Sequence, residues 1–202
     1  MLITQYPETL QTAVRDQTRK SPIAVRSLLP EDSLEHLTDL IHAAYAPHAM
    51  KGLRYWGTHQ SVEDTAKRLT SGHGFIAEVG GQIAGTVTVR PPQPESKVAA
   101  YRDPGTWSIG QFAVAPIYKG RGVGLALHGQ ALAVAASNGA RLMVIDTAAP
   151  ASSLIARYKA WGYVHCGMCD WRPHTNYLSI LMSRVLTPIE YPHISCMMRL
   201  HR

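Results

Sequence analysis

Residues 118–127 read YKGRGVGLAL. Glycines at 120, 122 and 124 alternate with Arg121 and Val123, then give way to apolar helix formers. A helix-interior glycine costs about 0.5–1 kcal/mol relative to alanine, so three in alternate positions need a reason. Close approach supplies one. A glycine-rich turn exposes backbone N–H groups, and the helix that follows adds its positive end. Together they form a cradle for phosphate, and Lys119 and Arg121 add two cations beside it. Spacing removes two familiar cradles. No Gly-Lys-Ser/Thr occurs, which excludes a Walker loop. The dinucleotide fingerprint needs glycines at positions one, three and six, but the sixth residue from Gly120 is Leu125, and from Gly122 it is Leu127. What remains is Lys119-x-x-Gly122-x-Gly124.

On either side of this turn lie a strand and a helix. WSIGQFAVA (107–115) reads as the strand, and the helix runs to Asn138-Gly139, a good C-terminal stop. Its Ala/Leu/Val content nearly all round predicts that it is largely buried. RLMVID (141–146) is a continuous apolar run, as in a buried parallel strand. Strand, helix and strand make one right-handed βαβ unit.

Further out, IAVRSLL (23–29) reads as a first strand. Asp32-x-x-Glu35 marks a helix start, with Leu34, Leu37, Ile41 and Ala44 at helical spacing. Residues 45–60 have no clean period and read as a loop. Ser61-x-x-Asp64 opens a second helix. GFIAEV and QIAGTVTV, joined by Gly80-Gly81, form a hairpin. Residues 90–105 are a long Pro-rich connection, and loops of that length are usually functional. Pro150 opens another helix that Gly162 ends. YVHCGMCDW and NYLSILMSRVL read as two last strands. A polar lead-in (1–21), a central domain (22–186) and a C-terminal extension (187–202) result.

Composition limits the function. The chain has 202 residues, 46% of them hydrophobic, which suits one globular domain. No apolar run approaches a membrane span, and the first twenty residues hold no signal-peptide core. Three cysteines do not make a disulfide framework. A cytoplasmic protein without membrane attachment is expected. The net charge of +6 fits a polyanionic ligand, but no aromatic-basic recognition motif points to nucleic acid. HCGMC (165–169) places a Cys-x-x-Cys beside a histidine. Alternation along a strand separates such neighbours across the sheet, so small buried strand residues, and no metal, are expected.

The element order, with the glycine turn after the fourth strand, resembles the GNAT family of N-acetyltransferases. The family's turn reads Gln or Arg, two residues, Gly, one residue, Gly or Ala, which Lys119, Gly122 and Gly124 match with Lys in the lead position. RYKAWGY supplies a second family feature through Tyr158, Gly162 and Tyr163. The resemblance covers about residues 22–186. It implies an α/β fold, a central mixed and twisted sheet of about seven strands with helices on both faces. It also implies acetyl-CoA as co-substrate. The pyrophosphate would lie on Lys119, Gly120, Arg121, Gly122, Val123, Gly124 and Leu125. Pantetheine would lie along Phe112, Ala113 and Val114, where the fourth strand splays from the fifth. Where the family often carries an Asn, this chain has Ala151, Ser152 and Ser153, and Ser153 is taken as the contact.

Acetyl transfer needs a neutral amine, and only about one lysine-like amine in a few thousand is neutral at pH 7. A general base or a water relay is therefore expected. The strand carries Gly110 and Gln111 where many family members have a Glu. Gln111 is expected to hydrogen-bond the acceptor or to sit at the core edge. Asp146, at the carboxyl edge of the fifth strand, is a base or acceptor-binding candidate, or else a cap for the turn 147–150. Glu78 and His59 are further candidates. Tyr55, Trp56 and His59 are expected to line the acceptor site, and Tyr158 to protonate the leaving thiolate. The reading is N-acetyl transfer to a primary amine of a small molecule or peptide. The alternative is an acyl-CoA-binding sensor or scaffold without turnover. The apolar residues of the tail point to a homodimer as one way of burying them.

Overall fold

The computed structural model describes residues 21–186. Nearly all of the lead-in and the whole extension, with its dimer expectation, lie outside the described residues. Seven strands form one sheet in the order β1-β2-β3-β4-β5-β7-β6. They are β1 (Ile23–Ser27), β2 (His73–Val79), β3 (Gln82–Arg90), β4 (Thr106–Val114), β5 (Leu142–Ala148), β6 (Val164–Asp170) and β7 (Leu178–Val185). Among the described residues only β4 and β5 pair in parallel. The helices are α1 (Leu34–Ala49), α2 (Val62–Leu69), α3 (Ala99–Arg102), α4 (Val123–Ser137) and α5 (Ser152–Ala160).

Strand alternation divides the core between the two faces. Phe75, Ala77 and Val79 of β2 join the cluster that holds Val123, Leu127, Ala131 and Ala135 of α4 and Tyr158 of α5. Ile76, between them, packs on the other face with Leu37 of α1 and Leu69 of α2. Leu40, Ile41 and Ala44 of α1 cover Ala113 of β4 on that same face. The sheet is thus sandwiched between helices, as the resemblance implied.

The hairpin turn is as read: Gly80 and Gly81 have φ of 59° and 75°, as a primed two-residue turn requires. The capping box is also present, with Asp64 N donating to Ser61 Oγ and Ser61 N donating to Asp64 Oδ2. Other expectations need correcting. The N-cap of α1 is Ser33, whose Oγ accepts from His36 N, and not Asp32. Asp32 is instead engaged by the Arg26 guanidinium, at 2.7 and 2.8 Å. The helix also runs on to Ala49, through Pro47, where a loop was expected. The N–H that Pro47 lacks removes one hydrogen bond, while Tyr45, Leu53, Tyr55 and Tyr177 pack together with Ala148 and Ala151 around this end of the helix.

Helix α4 buries one stripe, at Val123, Leu127, Ala131 and Ala135, because it covers the sheet from a single side; Leu125 is 59% exposed. The strand β6 lies at the sheet edge, so Cys166 is exposed and Cys169 half-buried, where buried strand cysteines were expected. Burial still pushes the Cys169 thiol up to about 12. Among the described residues no group of His, Cys, Asp and Glu side chains is placed to hold a metal ion, and no helix is long and apolar enough to cross a membrane.

Candidate active site

The parallel ladder between β4 and β5 is short. It pairs Thr106 with Leu142, Trp107 with Met143 and Ser108 with Val144, and then stops. Strand β5 stays on β7 as far as Ala148, while β4 follows β3. A register shift opposite Thr86 and Thr88 sets Gln111 and Phe112 against Val87 alone. This is a β-bulge, and Gln111 takes a left-handed φ of 48° within it. An extra residue bends the strand that carries it, so the two strands diverge. The opening is a cleft of about 630 Å³ between β4, β5, α1 and α5.

At one end of the cleft lies the glycine turn. Pro116–Tyr118 form a single 3₁₀ turn, and Gly120 and Gly122 follow with φ of 78° and 90°. Both angles belong to the left-handed region that costs other residues about 1–2 kcal/mol. The N-cap Gly122 has no side chain to cap α4, so the N–H groups of the first turn are left for a ligand. A Cβ on Gly124 would meet Val114, Phe112 and Trp161 at 3.7, 3.9 and 4.0 Å, ordinary contact distances. Lys119, Gly120 and Gly124 line the cleft, together with Phe112, Ala113, Val114 and Ser153. Gly122, Val123 and Leu125, also expected at the pyrophosphate, do not line the cleft: Val123 turns into the core and Leu125 outward. Arg121 does not line the cleft and lies over the Tyr118 ring at 5.5 Å. Lys119 Nζ donates to Ala44 O at 3.0 Å, tying the turn to α1. Burial, then the nearby Arg157, lowers the Lys119 pKa.

Tyr158 faces the cleft from α5, its ring tilted against Trp161 and Tyr163. Burial raises the pKa of its phenol well above 10, so the group stays protonated. Asp146 lines the cleft from β5. Its Oδ1 accepts from the Tyr101 hydroxyl at 2.9 Å, and its Oδ2 accepts from Trp171 Nε1 at 3.0 Å. It therefore does not cap the turn that follows. Each oxygen keeps a second lone pair for another partner.

Tyr55 and Trp56 line the cleft, and His59 does not. The Tyr55 hydroxyl shares a hydrogen bond with Thr147 Oγ1 at 2.9 Å and accepts from Ala148 N at 3.3 Å. Its ring meets Tyr45, His48 and Tyr177 at centroid distances of 5.3, 4.8 and 4.9 Å. Trp56 stacks on His174 at 4.1 Å, and the Arg68 guanidinium covers it at 4.6 Å. His59 Nδ1 meets Thr58 Oγ1 at 3.1 Å. Gln111 is buried, and its Nε2 donates to Gln60 Oε1 at 3.3 Å. Glu78 lies on β2 and accepts from Arg26 Nε at 2.8 Å, away from the cleft.

The sequence also matches the model of the Acetyltransferase (GNAT) family over residues 34–163. The chain belongs to the GNAT acetyltransferase family. Solved GNAT structures share its fold. The ribosomal-protein-S18-alanine N-acetyltransferase from Escherichia coli is 16% identical, with a TM-score of 0.62 over 82% of this chain and 95% of that one. A GNAT family acetyltransferase from Elizabethkingia anophelis with acetyl-CoA bound is 19% identical, with a TM-score of 0.60 over 83% of this chain and all of that one. FeeM, an N-acyl amino acid synthase from uncultured soil microbes, is 16% identical, with a TM-score of 0.63 over 83% and 92%. No curated protein matches the sequence.

This GNAT cleft contains side chains that sequence reasoning passed over: Tyr45, Arg68, Arg90, Tyr101, Trp171 and Tyr177. The Tyr45 hydroxyl donates to Phe112 O at 3.2 Å, and burial raises its pKa to about 12. Arg68 donates to Gln60 Oε1 at 2.7 Å, and burial lowers its pKa. One signal was available. Arg90 ends the strand QIAGTVTVR, in which every residue from Ala84 to Val89 is buried. A charge closing such a run is unusual on a central strand. The others come from helix faces and loops, where no period marks them.

Proposed function

We propose that this GNAT domain transfers the acetyl group of acetyl-CoA directly to a primary amine. The observation that carries the reading is the divergence of β4 from β5 after Ser108, with a left-handed glycine turn at one end and a protonated Tyr158 facing the gap. The residues present fit acetyl-CoA. The uncapped first-turn N–H groups of α4, with Gly120 and Gly124 on the cleft wall, suit its pyrophosphate. Phe112, Ala113 and Val114 suit its pantetheine amides. When bound, acetyl-CoA supplies a thioester whose carbonyl carbon is open to attack by the amine.

Each residue then has a physical task. The backbone N–H groups of β4 near the bulge stabilise negative charge on the carbonyl oxygen. Asp146 attracts the ammonium form of the acceptor and takes its proton, directly or through one water. Its Tyr101 and Trp171 partners hold the carboxylate in place for this. Tyr158 gives its proton to the departing sulfur. Burial makes the phenol a weaker acid, but the same apolar surroundings disfavour a free thiolate too. The aromatic side chains of Tyr45, Tyr55 and Tyr177 limit water around the reacting groups. The free thiols of Cys166 and Cys169 fit the reducing cytoplasm.

A second reading, an acyl-CoA-binding sensor without turnover, is favoured by one observation: β4 carries no carboxylate. An amine library with labelled acetyl-CoA, followed by mass spectrometry and free-thiol release, separates the two. Labelled product with matching thiol release supports transfer. Tight acetyl-CoA binding with no product from any amine supports the sensor.

A further inference from the structure

Two arginines point to the chemistry of the acceptor. Arg90 from β3 and Arg68 from α2 both line the cleft, and Lys67 lies beside them. Among the described residues the ion pairs join Arg26 to Asp32 and Glu78, Arg141 to Asp103, and Arg172 to Asp170. Neither cleft arginine takes part in one. Arg68 has the neutral Gln60 and the Trp56 ring as partners. Arg90 Nε is buried and has no hydrogen-bond partner among the described residues. The one other buried side-chain atom in that state among them, Thr88 Oγ1, lies two residues away on the same face of β3. Both arginines are half-buried, and a buried polar atom such as Arg90 Nε is ordinarily satisfied.

The backbone makes room for this arrangement. Gly110 pairs with Thr88 across the sheet. A Cβ on Gly110 would run into Arg90 Nη2. The guanidinium thus occupies the space that a side chain at position 110 would fill, and a Cβ there would displace it. The same cleft carries one carboxylate, Asp146, close enough to act on Arg68 through its charge. Cation and anion therefore stand in one cavity without being paired to each other among the described residues. A ligand with both signs would satisfy both.

We propose that the acceptor is an amine that also carries a carboxylate, an amino acid in the broad sense, with the carboxylate held by Arg90 and Arg68 and the amine directed to Asp146. Arginine suits this role because its planar donors match a carboxylate in pairs. The inference rests on the transferase reading for the amine, but carboxylate recognition is measurable without turnover.

Calorimetry with the common N-acetyl amino acids and their N-acetyl amino acid amides tests it, in the presence of coenzyme A. These probes share every atom except the charged oxygen. At least one acid is expected to bind about 10- to 100-fold more tightly than its amide, as for a charge-assisted pair. Arg90→Gln is expected to remove that difference while the Kd for acetyl-CoA stays within a few-fold, and Arg90→Lys to keep part of it. Gly110→Ala, which displaces the guanidinium without removing it, is expected to weaken the acids and not the amides. Circular dichroism confirms that each variant is folded. Equal binding of acids and amides across the set overturns the inference. So does an acid preference that survives both Arg90→Gln and Arg68→Gln, and so does an equal loss of acetyl-CoA binding. A protein that binds the acids as expected but acetylates no amine keeps this inference and loses the transferase reading. A protein that acetylates amines without carboxylates best does the reverse.

Discussion

The Tyr101 hydroxyl donates a 2.9 Å hydrogen bond to Asp146 Oδ1, joining a one-turn helix in the Pro-rich connection to the end of β5. The connection therefore reaches into the candidate active site and orients its one carboxylate. Asp146→Asn is expected to lower kcat/KM for the amine roughly 10²-fold, the usual size of a lost general base. Tyr101→Phe removes only the orienting bond and is expected to cost about tenfold. Thiol-release kinetics read both. Equal activity of wild type and Asp146→Asn would remove Asp146 from the mechanism.

Tyr158→Phe tests the proton donor. The ring keeps its contacts with Trp161 and Tyr163, so binding of acetyl-CoA should be nearly unchanged. The expected result is a kcat lower by roughly 10²-fold or more, with chemistry shown to be limiting by single-turnover measurement. If most of kcat survives, Tyr158 is a packing residue of the channel.

Gly122 and Gly124 separate backbone strain from ligand clash. Gly122 sits at a φ of 90°, so Gly122→Ala is expected to destabilise the fold by about 1 kcal/mol. Gly124 is helical and lines the cleft, where a Cβ would make only ordinary contacts with Val114, Phe112 and Trp161. Gly124→Val is expected to keep the fold and weaken acetyl-CoA binding at least tenfold, measured by calorimetry. Unchanged affinity would show that the pyrophosphate lies elsewhere.

His128 predicts a pH dependence of stability. Its Nε2 meets the Tyr163 hydroxyl at 3.0 Å, and its ring stacks on Trp161 at 4.4 Å. Burial, then Arg184, lowers its pKa to about 4, against about 6.5 in an unfolded chain. Between these values the unfolded chain binds more protons than the folded one, so stability rises with pH there. The contribution is complete above about pH 6.5 and is lost as pH falls through 4, an effect on the order of 3 kcal/mol. His128→Gln retains a hydrogen-bonding group and does not titrate. Urea unfolding of the two proteins at about pH 7 and about pH 4.5 should show a smaller acid loss for the variant. Parallel losses would assign the acid sensitivity to other groups.

Local chemistry by itself determined much of this protein. The alternating glycines, the capping box at Ser61 and the Gly80-Gly81 hairpin each act over a few residues, so their geometry follows from the residues themselves. The apolar period of residues 141–146 and the turn at 118–125 were enough to place a βαβ unit with a glycine turn at the mouth of its helix. The same locality explains the errors. Asp32 looked like a cap because its spacing to Glu35 fits one, and Arg26, brought close by the fold, claimed it instead. Residues 45–49 look irregular around Pro47, yet packing of Tyr45 against Tyr55 accompanies the continued helix. Only the tertiary structure decided which side chains share the cleft. Arg68, Arg90, Tyr101 and Asp146 come from α2, β3, α3 and β5, and no periodic pattern links residues so far apart in the chain. Their meeting depends on where β4 leaves β5, which the bulge at Gln111 and the pairing of β5 with β7 set together. That is a property of the whole sheet, because a strand can diverge from one neighbour only while others continue to hold it.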